Sequence, residues 1–329
     1  MALLEVKDLV VDFATRAGKA RVLDHVSLSV EPGEILGIVG ESGCGKSMTA
    51  LSILGLVPSP PGNVSGGAVY LDDENLIEAS EARMRQIRGK DISMIFQEPM
   101  TSLNPVFSVG EQIAEGLRLH ESISSARART KAIEMIRAVG IPEPELRSKN
   151  YPHQMSGGMR QRIMIAMALA CGPRVLIADE PTTALDVTVQ AQIFDLLKAL
   201  QQQNNTAIIL ITHDMGVIAQ LCDHVAVMYA GRVIETSTTE TILSAPRHPY
   251  TQGLIACVPH LEENPGDERK PLMEIEGVVP PLTELGAGCA FAPRCARHMP
   301  VCDDQKPVMT DYGPSHSVAC LALADGDAP

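Results

Sequence analysis

The sequence predicts an α/β fold, and three observations carry that expectation. From residue 3 to about residue 241, short β-rich runs alternate with helix-length amphipathic stretches. The runs at 35–39, 92–96, 175–178, 207–211 and 225–228 are apolar, Ser93 apart, and bounded by turn residues, as suits strands covered on both faces. A glycine-rich loop follows the first of these runs directly and leads into a helical stretch. With 329 residues, the chain has room for one large domain and an appendage.

Taken in order, the first thirteen residues alternate apolar with polar side chains and carry Glu5 and Lys7. That reads as a strand, since a secretory signal needs a basic start and an uninterrupted apolar stretch. Between residues 100 and 171 the strand signals give way to helical ones, notably at 109–120 and 126–139, which predicts a helical insertion into the α/β core. Beyond about residue 246 prolines and glycines thicken and periodicity fades, which divides the chain into 1–245 and a tail at 246–329. No run of about 18 apolar residues occurs, so no membrane span is expected. The expected compartment is therefore the cytoplasm, where the eight cysteines serve as thiols or metal ligands. A net charge of −13 argues against a chain whose main work is neutralising nucleic-acid phosphates.

The loop Gly40-Glu41-Ser42-Gly43-Cys44-Gly45-Lys46-Ser47 fits G-x-x-x-x-G-K-[ST]. Its glycines let successive backbone N–H groups turn inward toward phosphate oxygens, and the helix N-terminus behind them adds partial positive charge. Lys46 is expected to reach the β- and γ-phosphates of a nucleotide, with the Ser47 hydroxyl on Mg²⁺. Cys44 occupies a position where the motif accepts any residue. Far downstream an apolar run ends in Asp179 and Glu180. Two carboxylates there suit, respectively, the Mg²⁺ shell and an attacking water.

Ser156-Gly157-Gly158-Met159-Arg160-Gln161 stands between these elements and opens a further helix, a second anion site made of backbone N–H groups. With this element in place, the chain resembles the ABC transporter ATPases. The resemblance implies a P-loop NTPase cassette with a RecA-like core, an N-terminal antiparallel β subdomain and a helical subdomain at about 100–171. It also implies that Ser156, Gly157 and Gly158 touch the γ-phosphate of ATP held by an opposing ATPase subunit. Met155 and Met159 stand where the family's commonest signature has Leu and Gln. Gln97 resembles the glutamine that touches Mg²⁺ and senses the membrane subunit, and Thr183-Ala184-Leu185-Asp186 resembles the loop that crosses the dimer interface. His213 resembles the switch histidine, and Phe13 the aromatic that stacks on adenine. The implied catalytic set is Glu180, His213 and Lys46.

Three further stretches narrow the resemblance to the ATPases of dipeptide, oligopeptide and nickel importers. They are Gln97-Glu98-Pro99-Met100-Thr101-Ser102-Leu103-Asn104-Pro105, Tyr151-Pro152-His153-Gln154, and Arg247-His248-Pro249-Tyr250-Thr251. The implied function is ATP hydrolysis that powers peptide import; the alternatives are nickel or glutathione import by the same mechanism, or a soluble ABC ATPase outside transport. The implied partners are two transmembrane permease subunits, a second ATPase that is a paralogue of this one, and indirectly an external peptide-binding protein. The implied location is the cytoplasmic face of the cell membrane.

Cys289, Cys295, Cys302 and Cys320 crowd a proline-rich tail with little core of its own, which a metal centre would hold together. Four thiolates suit Zn²⁺ or an iron–sulfur cluster, and no Cys-x-x-Cys pair chooses between them. The peptide-importer resemblance implies a [4Fe-4S] cluster. Cys171, Cys222 and Cys257 are expected to be small buried apolar residues.

Overall fold

A computed structural model describes residues 2–16, 18–97, 102–182, 186–258 and 274–323. Thr183, Ala184 and Leu185 of the interface loop, and residues 98–101 of the importer stretch, lie outside the described residues. The chain forms two compact units. One is built from the chain's start to Leu4, Ser29–Ile35 and Tyr70–Ile211; the other from Glu5–Leu28, Leu36–Val69 and the chain from Thr212 onward.

The strands in chain order are β1 Leu4–Thr15, β2 Gly18–Val30, β3 Ile35–Val39, β4 Gly62–Leu71, β5 Glu74–Asn75, β6 Ile92–Ile95, β7 Val175–Asp179 and β8 Ala207–Ile211. They continue with β9 His224–Tyr229, β10 Arg232–Thr238, β11 Thr310–Asp311 and β12 Ser317–Val318. In the first unit β6, β7 and β8 run parallel, with Ile92 opposite Val175 and Asp179 opposite Ile211. Every residue of these three strands is buried, which explains why their sequences, apart from Ser93 and the terminal Asp179, are apolar without alternation. Each buried Val, Leu or Ile contributes about 1.5–3 kcal/mol. The exposed Arg174–Asp72 ion pair in the same unit, 2.8 Å long, adds at most about 1 kcal/mol, so burial holds these strands. The apolar run at 92–96 ends one residue early as a strand: Phe96 lies past β6 and is exposed.

Between residues 100 and 171 the helices Val109–His120, Ser125–Ala138 and Gly157–Leu169 pack on one another. Ile113, Ala114 and Leu117 of the first, with Ala128, Ala132 and Ile136 of the second, supply buried faces at i, i+3 and i+4 spacing. Ser124 caps the second by accepting from the Arg127 N–H.

In the second unit β1 and β2 form an antiparallel hairpin, as their short link demands, and β1 also neighbours β4. From Leu36, β3 pairs in parallel with β9, which turns through Ala230 and Gly231, both at positive φ, into antiparallel β10. The tail then adds β12 antiparallel to β10 and β11 to β12. Glu235 of β10 is fully buried and accepts from the N–H groups of Arg247 and His248 and from His316 Nε2 at 2.8 Å. The stretch beginning at Arg247 is thereby fixed to the sheet. His248 itself is held to about pKa 4 by burial, so its ring is neutral, and because Nδ1 accepts from the Tyr250 N–H at 3.0 Å the ring proton sits on Nε2.

All eight cysteines are free thiols. Cys222 is buried as expected, its thiol pushed up to about 12 by burial and by Asp223. Cys171 and Cys257 correct the expectation of burial. Each follows a helix end, Leu169 and Ala256 respectively, where the chain leaves its packed face, and both are half-exposed.

Candidate active site

The phosphate loop belongs to the second unit. Fully buried β3 delivers the chain to Gly40, and helix Lys46–Ile53 carries it away. Gly40 and Gly45 have φ of 152° and 104°. A Cβ on Gly40 would sit 2.2 Å from the Met228 carbonyl oxygen, and one on Gly45 would sit 2.8 Å from Leu23. Both positions therefore demand glycine, and the loop lies tight against its neighbours. The helix has no acidic residue in its first turn, so nothing neutralises its positive end. Lys46 is 7 % exposed, and its Nζ donates to the carbonyls of Gly40 at 2.7 Å and Glu41 at 3.0 Å. The Cys44 thiol beside it is buried, and that burial raises its pKa.

Glu41 is held on two sides. Its N–H donates to the Tyr250 hydroxyl at 2.8 Å, and its carboxylate accepts from both terminal nitrogens of Arg294, at 2.8 and 3.0 Å. Gly40 and Glu41 share an open cleft of about 420 Å³ with His213, Asp214, Met215, Leu254 and Cys257. His213 is exposed, and the next residue, Asp214, caps helix Met215–Leu221 through Gly216 N–H at 2.7 Å. Phe13 is half-buried on β1 with its ring against the backbone of Gly62, and the neighbouring Ala14 N–H donates to Pro61 O.

The first unit brings other expected residues together. β7 ends in Asp179, 3 % exposed, and Glu180 follows with φ 46°, its N–H donating to Ile211 O. Gln97 Nε2 donates to Glu180 Oε2 at 3.0 Å. A left-handed backbone at a carboxylate residue is strained, and such strain collects at functional positions. Gln161, 1 % exposed on the signature helix, donates to Pro181 O at 2.6 Å and ties that helix to the chain just past Glu180.

The Ser156 hydroxyl accepts from Met159 N–H and caps helix Gly157–Leu169, whose first turn also lacks acidic residues. Ser156 and Gly157 are exposed, and a cleft of about 390 Å³ is lined by Ser156, Gly158, Met159, Arg162 and Asp186. Met155 is buried, so the exchange of Leu for Met there keeps an apolar core side chain and leaves the anion site intact. A separate apolar groove of about 470 Å³ lies among Met94, Phe96, Ser102, Met164, Met167 and Ala168.

Cys289, Cys295, Cys302 and Cys320 share one neighbourhood. The Cys289 N–H donates to Cys302 O at 2.7 Å. Burial raises the Cys289, Cys295 and Cys320 thiols, and the charge of Cys302 acts on each of them in the same direction. Even so, among the described residues no group of three or more His, Cys, Asp or Glu side chains is close enough to hold a metal ion. The sequence reading missed Arg294 altogether, since a lone arginine between Pro293 and Cys295 has no spacing signature.

Two family patterns match the chain: "ABC transporter" over residues 23–183 and "Oligopeptide/dipeptide transporter, C-terminal region" over residues 234–302. The oligopeptide transport ATP-binding protein OppD of Bacillus subtilis is 50% identical, over 99% of this chain and 90% of that protein. The dipeptide transport ATP-binding protein DppD of the same organism is 50% identical, over 99% of this chain and 98% of that protein. Among solved structures, the dimeric post-hydrolysis cassette MJ0796 bound to ADP and Pi is 27% identical with a TM-score of 0.66, covering 72% of this chain and 98% of its own. CbiO1 of Clostridium perfringens is 27% identical with a TM-score of 0.61, over 74% and 91% of the two chains.

Proposed function

The chain belongs to the ATP-binding subunits of peptide ABC transporters, and we propose on that premise how its own residues bind and hydrolyse ATP. It is an ABC ATPase that powers peptide import, and permeases of the membrane are its partners. Among the described residues no helix is long and apolar enough to cross a membrane itself.

The observation that carries the assignment is the buried Lys46 ammonium, held at the mouth of a glycine loop by two backbone carbonyls. Phosphate oxygens exchange with those carbonyls as its partners, while the N–H groups of residues 42–47 and the helix N-terminus take up further negative charge. Mg²⁺ would be held by Ser47, Gln97 and Asp179, whose hydroxyl, amide and carboxylate oxygens suit a hard cation. Bound there, it neutralises charge developing on the phosphate oxygens. Glu180 orients and deprotonates the attacking water, His213 contacts the γ-phosphate, and Phe13 stacks on the adenine. The division into a cassette at 1–245 and a tail at 246–329 belongs to the same proposal.

Ser156, Gly157 and Gly158 receive the γ-phosphate of ATP bound to an opposing ATPase, a paralogue in a head-to-tail pair. The exposure of Ser156 and Gly157 and the absence of acidic residues from the helix's first turn support this reading. The apolar groove beside Phe96 receives a coupling helix of the permease, which fixes the subunit to the cytoplasmic face of the membrane. A binding protein outside the cell delivers the peptide. An incomplete site in the isolated chain means that dilute, monomeric protein turns over ATP at least about tenfold more slowly than the assembled transporter. Specific activity measured against dilution tests this, and full-rate hydrolysis by the monomer contradicts it.

Cys289, Cys295, Cys302 and Cys320 would hold a [4Fe-4S] cluster in this proposal, each as a deprotonated thiolate. Their shared neighbourhood and the four sulfur donors support it. Anaerobically purified protein should carry about four iron and four sulfide per chain, lost when Cys302 is replaced by Ser. Colourless protein with bound zinc, or with no metal, contradicts the cluster.

A further inference from the structure

We propose that Arg294 and Tyr250 are positioning residues of the nucleotide site: from the tail, they clamp Glu41 and hold the phosphate loop in its ATP-receiving shape. The inference rests on the assignment of residues 40–47 to phosphate binding made above.

The motif leaves the residue after Gly40 unspecified, yet Glu41 is the most constrained residue of the loop. Its N–H is bound by Tyr250 Oη at 2.8 Å, its carbonyl accepts from Lys46 Nζ at 3.0 Å, and its carboxylate takes the Arg294 fork. Isolated surface ion pairs contribute little, because solvent competes and two long side chains must be ordered. The arginine meets neither condition here, while the Glu41 side chain is 27 % exposed. The Arg294 side chain is 5 % exposed, and its position is set before it meets Glu41. Its Nε donates to Glu276 O at 2.9 Å and one terminal nitrogen to Ile275 O at 3.1 Å. A planar guanidinium fixed by backbone carbonyls presents one N–H of each terminal nitrogen to the carboxylate in one geometry only.

The support behind the clamp is equally rigid. Tyr250, Tyr229 and Phe291 are 0 %, 1 % and 4 % exposed, and their rings meet edge-on at 4.8 to 5.4 Å. Tyr250 therefore cannot follow the loop if the loop shifts. When phosphate oxygens take Lys46 from the Glu41 carbonyl, the two tail anchors remain. The loop keeps its shape, and less ordering opposes binding. The tail is thus part of the nucleotide site.

The test uses the full-length chain and a fluorescent ATP analogue with Mg²⁺, alongside thermal midpoints. Arg294→Gln should weaken nucleotide binding about tenfold, and Tyr250→Phe about threefold. Glu41→Gln should weaken it about as much as Arg294→Gln. The Glu41→Gln/Arg294→Gln double variant should be no weaker than either single one, since both remove the same carboxylate–guanidinium contact. Independent losses that multiply in the double variant would mean that Arg294 only stabilises the tail, and would overturn the proposal. So would binding within about twofold of wild type for both Arg294→Gln and Tyr250→Phe, while Lys46→Ala loses it. Retained binding in Lys46→Ala instead removes the phosphate-loop assignment on which the proposal stands. If Arg294→Gln does not fold, Tyr250→Phe and Glu41→Gln decide the matter on the same scale.

Discussion

Replacing Glu180 with glutamine is expected to lower ATP turnover by the assembled transporter about a thousandfold while leaving ATP binding in place. The amide keeps the carboxylate's size and still offers an oxygen to Gln97 Nε2, which lies 3.0 Å from Glu180 Oε2 in the native chain. What it loses is the capacity to take a proton from water. The left-handed backbone at Glu180 and its N–H bond to Ile211 O fix the residue independently of its side-chain charge, so the variant should fold as the wild type does. A thousandfold loss corresponds to about 4 kcal/mol of transition-state stabilisation. ATP-bound dimers should then accumulate, visible by size-exclusion chromatography in the presence of ATP. Turnover within about tenfold of wild type would assign the water-activating role elsewhere.

Lys46→Ala should act earlier, on binding. The ammonium is the one formal positive charge in the phosphate loop at 40–47 and is already desolvated at 7 % exposure. A hydrogen bond from a charged donor contributes about 1.5–3 kcal/mol, so losing it weakens ATP binding about tenfold to a hundredfold. Turnover falls further, because negative charge grows on the phosphate oxygens in the transition state. Equilibrium titration with nucleotide separates this variant from Glu180→Gln: one loses binding, the other keeps it.

These contrasts follow residues that were legible in the sequence because backbone sterics impose their pattern. Gly40 and Gly45 cannot be other residues where Met228 O and Leu23 press against the loop, so the motif had to appear. The parallel strands were legible for a similar reason: burial on both faces permits only apolar runs. The limits of legibility are equally physical. Phe96 continues an apolar run but lies beyond β6 because it faces the apolar groove, not the sheet. The addition of β12 to β10 depends on the pairing of Glu235 with Val318 across a proline-rich stretch without periodicity. Arg294 acts through a contact 253 positions distant in sequence, and no local pattern encodes such a contact. The cysteines are legible as a group but not as a geometry, because a ligand set forms only when backbone and thiols converge on an ion.

ATP-dependent uptake of a labelled peptide tests the central claim most directly. It is measured in vesicles carrying the permeases and the partner ATPase with either wild-type chain or Lys46→Ala. Uptake that requires ATP and falls at least about tenfold with Lys46→Ala is the result predicted. Uptake that proceeds equally with both chains would contradict the assignment of transport power to this phosphate loop.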